Sequence, residues 1–117
     1  MTQLLGNALT IDLKPEVYAT RDDNTSVKTG AVFLSELAAA AVDVWGADVG
    51  LIGGVTTDEI FVVVQGRANV TFEDTGETIS IGPGDVVRLY AGQRNSWETI
   101  EPLRKVSFYV PPLDKIA

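Results

Sequence analysis

The sequence predicts an all-β sandwich or barrel. Three observations carry that prediction. Glycines interrupt the chain every few residues between Gly46 and Gly92. The runs between them are rich in Val, Ile, Thr, Phe, Tyr and Trp, which suit a pleated, half-buried surface. These runs recur at a spacing of roughly ten residues, the rhythm of short antiparallel strands.

Taken in order, residues 1–29 show little periodicity. They carry Lys14-Pro15 and the polar run Arg21-Asp22-Asp23-Asn24-Thr25-Ser26. They read as an extended arm and loop with one short strand at 9–13. The chain thus divides into an N-terminal arm and loop over 1–30 and one barrel over 31–117. Residues 31–34 are apolar and strand-like. Residues 35–41 are ambiguous, because alanine is the best helix former. Beyond them, Ala40, Val42 and Val44 alternate with Ala41, Asp43 and Trp45, which is strand periodicity, so 41–45 reads as a strand. Further strands are expected at 59–64, 68–73, 78–81, 86–90, 96–100 and 106–110. Residues 73–77 form a hairpin turn in which Gly76 is free to take a positive φ. Pro111-Pro112 closes the last strand, since proline cannot donate to a ladder.

The 117 residues, 45% of them hydrophobic, suffice for one core and leave no room for a second. Cysteine and histidine are both absent. Their absence excludes disulfides, thiolate zinc sites, imidazole metal ligands, and Ser-His-Asp or Cys-His catalysis. A formal charge of −7 repels phosphate backbones, so no nucleic-acid partner is expected. No run of about 18 apolar residues exists to span a membrane, and the N-terminus lacks a secretory pattern. A cytoplasmic protein is expected.

Two stretches stand together with a recognisable spacing. The first runs from Asp58-Glu59 to Gln65-Gly66. The second runs Gly82-Pro83-Gly84-Asp85 to Tyr90-Ala91-Gly92-Gln93-Arg94-Asn95. In order and correctly spaced, they resemble the two motifs of the cupin superfamily. That resemblance covers about 42–110 and implies an antiparallel jelly-roll barrel. Glu59 and Gly66 match the end of the first motif. Gly84 and Gly92 match the second, with Tyr90 where proline is usual and Asn95 where histidine is usual. The surrounding residues, including Trp45, Trp97-Glu98 and Glu101-Pro102-Leu103-Arg104-Lys105, look like small single-domain cupins. These are similar to the ureidoglycine aminohydrolase cupin domain and the ethanolamine-utilisation cupin.

The resemblance implies a metal held by two histidines and a glutamate of the first motif and a histidine of the second. Here the first-motif histidine positions fall on Gly53 and Val55, or Ile52 and Gly54, and Asn95 takes the fourth place. Glu59 alone remains as a strong ligand. One carboxylate and one amide do not hold a transition metal against water. The metal site is expected to be lost, and no cofactor is expected.

Alternation places Glu59, Phe61 and Val63 on one strand face and Asn95, Trp97 and Thr99 on another, and the resemblance puts both at the barrel mouth. Glu59 is then a ligand anchor or general acid/base; the plainer reading is a carboxylate paired with a barrel arginine or a backbone amide. Asn95 either bonds a ligand or caps the 92–94 turn. Trp45, Phe61 and Trp97 either line a pocket or fill the core. Tyr90, Arg67, Arg88 and Lys105 are candidates for an anion clamp or proton donor, with exposed charge the default for the basic residues. Which face Arg88 and Tyr90 share is left open.

Two functions follow from these residues. The first is a metal-free protein that binds a small polar molecule in the barrel mouth, through Glu59, Asn95, Trp97, Phe61, Tyr90 and Trp45. The second is an enzyme acting on a small nitrogen-containing metabolite of the ureidoglycine or ureidoglycolate kind, with Glu59 as acid or base. A homodimer paired through sheet edges is also expected, with the arm at 4–17 crossing to the partner.

Overall fold

A computed structural model describes residues 3–16 and 27–111. It contains eight strands among the described residues and no helix. They are β1 Lys14–Pro15, β2 Thr29–Leu37, β3 Ala40–Ala47, β4 Gly50–Val55, β5 Glu59–Phe72, β6 Thr78–Ile81, β7 Val86–Leu89 and β8 Arg94–Tyr109. Every pairing is antiparallel. The arrangement is the jelly roll that the sequence predicted.

The two long strands β5 and β8 organise it. The first half of β5 pairs with the second half of β8, from Glu59↔Tyr109 to Gln65↔Arg104. The second half of β5 pairs with the first half of β8, from Arg67↔Glu101 to Phe72↔Asn95. Between the halves both strands bend, and register shifts mark the bend on β5 at Val63/Gln65, Gln65/Arg67 and Arg67/Ala68. One face of the sandwich therefore runs β1-β2-β3-β8-β5-β7, and the other β4-β8-β5-β6.

Gly66 makes the bend. Its φ is +83°, and a Cβ there would meet the Pro102 carbonyl oxygen at 2.1 Å. The residue pattern predicts one strand ending before Gly66 and another beginning after it. The glycine instead turns one continuous strand from the first face into the second.

Other expectations need correction. The strand expected at 9–13 is not there. Asn7 instead holds a turn, accepting from Leu9 N on its side chain at 2.9 Å and from Ile11 N on its carbonyl at 2.9 Å. The short strand lies just after it, at Lys14–Pro15. The strand Gly50–Val55 was not foreseen, because Gly50, Gly53 and Gly54 erase the β-rich signal. The ambiguous 35–41 segment is a hairpin: Leu37 pairs with Ala40, and Ala38 adopts φ 54° in the turn. Strand pairing overrides alanine's helical preference there. The 73–77 turn forms as expected, with Gly76 at φ +74° donating to the Phe72 carbonyl at 2.8 Å. Part of the arm reading, residues 17–26, and Pro112 lie outside the described residues.

The core fills the space between the faces. Phe61, Val63, Val70, Leu89 and Leu103 are all at most 2% exposed. Each fully buried side chain of this size contributes about 1.5–3 kcal/mol. Trp97 packs against Phe61 at 5.5 Å between centroids and against the edge of Trp45 at 5.8 Å. The arm lies on the outer surface of the barrel. Arg104 Nη1 donates to the carbonyls of Ala8 at 3.2 Å and Ile11 at 2.8 Å, and a Cβ on Gly46 would meet Leu13 Cδ1 at 2.6 Å.

Candidate functional site

Alternation along two strands runs against the usual sense. On β3, Asp43 and Trp45 point between the faces, and Val42 and Val44 point away. On β8, Lys105, Ser107 and Tyr109 point inward, and Val106 and Phe108 outward. Register brings the inward residues together: Trp45 lies opposite Lys105 and Asp43 opposite Ser107, while Tyr109 lies opposite Glu59 of β5. Polar side chains on the interior face of a barrel need a reason, because burying them is costly unless they are bonded. Here they border a cavity of 420 Å³.

Lys105 is the centre of that cavity. Its ammonium donates to Glu59 Oε2, and Ser107 Oγ donates to the same oxygen at 3.1 Å. The lysine side chain is 8% exposed and the glutamate's 14%. Three rings surround the ammonium, with centroids of Phe61 at 4.4 Å, Trp45 at 5.0 Å and Trp97 at 5.6 Å. Cation–π attraction and the Glu59 charge hold the cation in this enclosure. Burial nevertheless pulls Lys105 below the ordinary lysine range, against the opposing pull of Glu59.

Two further acids flank the pair. Asp43 Oδ2 accepts from Tyr109 Oη at 3.1 Å, while its Oδ1 is buried without a partner. Burial pushes the Asp43 carboxyl above its ordinary value, more than the tyrosine bond lowers it. Burial, then the Asp43 charge, pushes the Tyr109 hydroxyl up to about 12. Glu16, at the end of the described arm, accepts from Trp45 Nε1 at 2.9 Å and Thr29 Oγ1 at 2.8 Å. The arm thus supplies part of the cavity wall.

Asn95 enters from the other face. Its Oδ1 accepts from Trp97 Nε1 at 3.0 Å, and its Nδ2 is buried without a partner. Asn95 is 3% exposed and lines the same cavity as Asp43. Its role is not to cap the 92–94 turn; in that turn Gln93 Oε1 accepts from Tyr90 N at 3.1 Å.

Of the residues read from the sequence, Glu59, Asn95, Trp97 and Trp45 border the cavity. Phe61 is wholly buried and lies behind the Lys105 ammonium instead of on the open wall. Tyr90 is not brought to the site: it follows the end of β7, is 59% exposed, and lies under the Arg88 guanidinium at 4.2 Å. Val87 and Leu89 take the interior face of β7, which leaves Arg88 outside, paired with Asp58 at 3.2 Å. Lys105 reverses the expectation of exposed charge. Glu59 is not a lone acid; its partner is a lysine, where an arginine or a backbone amide had been expected. Asp43, Ser107, Tyr109 and Glu16 were missed. The signal for three of them was present, since Asp43 interrupts a valine alternation and Lys105, Ser107 and Tyr109 recur at strand period.

The comparisons agree with this architecture. Residues 34–106 match the model of the EutQ-like cupin domain. A DUF861 family protein from Thermotoga maritima is 32% identical over 55% of this chain and 73% of its own, with a TM-score of 0.52. EutQ from Clostridium difficile is 16% identical, with a TM-score of 0.66 over 78% of this chain and 74% of its own. A putative ethanolamine utilization protein Q from Salmonella typhimurium LT2 is 21% identical, with a TM-score of 0.63 over 86% of this chain and 98% of its own. No protein of curated function matches.

A metal of the kind the superfamily implies does not fit these residues. Ile52, Gly53, Gly54 and Val55, the positions of the first-motif histidines, border the cavity and carry no ligand. Asn95 offers an amide already engaged with Trp97. The Lys105 ammonium occupies the carboxylate of Glu59. Among the described residues no three of His, Cys, Asp or Glu converge to hold an ion.

Proposed function

The chain belongs to the EutQ-like cupin domain family, and from that premise we propose that it binds a small, polar, uncharged or cationic organic molecule in the cavity around Lys105, without a metal. The observation that carries this reading is a pair of orphaned polar atoms. Asp43 Oδ1 and Asn95 Nδ2 are buried without partners, and both residues border the same space. Each unsatisfied buried group costs about 1–3 kcal/mol. A ligand that donates to Asp43 and accepts from Asn95 would recover that cost. Amides, ureides and polyols carry both functions.

Charge narrows the ligand. Glu16, Asp43 and Glu59 face one cation, Lys105, so an anionic ligand meets repulsion. The volume of 420 Å³ lies within the range typical of small-molecule sites. Trp45 presents a half-buried ring for a flat or sugar-like group.

A thermal-shift screen of small amides, ureides, polyols and amino compounds tests this. At least one compound is expected to raise the melting temperature of the native chain and not that of Asn95→Leu. A full screen without any shift, or a shift unchanged in Asn95→Leu, would remove the reading. Turnover of a hit by the native chain, lost in Glu59→Gln, would favour the enzyme acting on a nitrogen-containing metabolite.

A further inference from the structure

We propose that Lys105 is a nucleophile that captures a small uncharged aldehyde or ketone in this cavity as an imine. Several features converge on its amine. Lys105 borders a cavity large enough for a small carbonyl compound. It donates to a carboxylate, Glu59, within reach of direct proton transfer. Ser107 Oγ, 3.1 Å from Glu59 Oε2, fixes that carboxylate in place. The rings of Trp45, Phe61 and Trp97 lie within 5.6 Å of the nitrogen and give it a largely apolar surrounding. An amine in such an enclosure is easier to deprotonate than one in water, and Lys105 shifts in that direction. Desolvated lysines of this kind are the ones that form Schiff bases.

The chemistry balances with the groups present. Glu59 takes one proton from the ammonium, leaving a neutral amine beside a neutral acid. The amine lone pair forms the C–N bond, and the carbonyl π pair moves to oxygen. That oxygen receives the proton from Glu59, and Glu59 then accepts one of the two protons on nitrogen, giving a carbinolamine. The C–O bond breaks as the hydroxyl takes this proton back from Glu59 and leaves as water. The product is an iminium cation beside the Glu59 carboxylate. Charge is unchanged, nothing is oxidised or reduced, and the same rings and carboxylate that held the ammonium hold the iminium. The surplus of acids around the site selects neutral carbonyl compounds over oxoacids.

This goes beyond non-covalent binding but rests on the same cavity admitting a small molecule. The full chain is incubated at mildly alkaline pH with glycolaldehyde and cyanoborohydride, and the reduced adducts are located by peptide mass mapping. One adduct on Lys105 is expected, ahead of any on Lys14, Lys28, Lys115 or the terminal amine. Label on those amines with Lys105 unmodified would overturn the proposal. Glu59→Gln, with its native circular dichroism retained, is expected to lose the Lys105 adduct; an equal yield would also overturn it. If that variant unfolds, the native map alone decides. Absence of the adduct while a screened compound still stabilises the chain would sink the imine and leave the binding reading standing.

Discussion

Lys105 donates to Glu59 within the first face, before the bend that Gly66 creates, and neither residue has another charged group at ion-pair distance among the described residues. The two charges depend on each other. Removing one partner of a buried pair leaves the other uncompensated, which costs about 3–5 kcal/mol, whereas replacing both by apolar groups is often neutral. With Glu59 slightly open to solvent, Lys105→Met is expected to lose about 3 kcal/mol in urea denaturation. The double variant Lys105→Met, Glu59→Leu is expected to recover most of it. A double variant as unstable as the single one would show that the pair contributes through packing and not through charge.

Gly66 is the next test, because it makes one strand serve both faces. Its φ of +83° and the 2.1 Å approach of the Pro102 carbonyl leave no space for a methyl group. Gly66→Ala is expected to cost at least about 2 kcal/mol, the scale of a strained backbone residue. Gly76→Ala, at φ +74° but with open space around it, is expected to cost less. Equal losses in the two, measured by denaturation, would assign the Gly66 effect to φ alone and remove the close approach as its cause.

Tyr109 provides a pH signature. Its hydroxyl is pushed up to about 12 by burial and by the neighbouring Asp43. A folded-state value above the unfolded value of 10 means that its contribution to stability is complete below pH 10 and is lost as pH rises through 10 towards about 12. An ultraviolet titration of the folded chain is expected to contain a tyrosinate step near 12 that Tyr109→Phe removes. In Asp43→Asn the step is expected to fall but to stay above 10, since burial is the larger cause. A titration in which every tyrosine ionises together near 10 would contradict the burial of Tyr109 against Asp43.

Much of this was legible before the structure. Glycine spacing and β-branched runs gave the strands at 78–81 and 86–90 nearly as they occur, and the two halves of β5 as separate strands at 59–64 and 68–73, because alternation and turn residues are local signals. Asp85, in the turn of the second motif, accepts from Gly82 N on its Oδ2 at 2.8 Å. What escaped was non-local. No local signal distinguishes a glycine that ends a strand from Gly66, which bends one, since the difference lies in Pro102 across the sheet. The cavity escaped for a related reason. Exposed charge was the expectation for Lys105, but the barrel turns Lys105, Ser107 and Tyr109 inward together. Exposed Ile60, Val86 and Phe108 carry the apolar face outward.

The central claim is that the cation of this barrel is its own lysine. Metal analysis tests it most directly. The native chain and Glu59→Gln are incubated with manganese, zinc, nickel or iron, dialysed, and assayed for bound metal. The account predicts no stoichiometric metal in either. One equivalent retained by the native chain and lost in Glu59→Gln would contradict it.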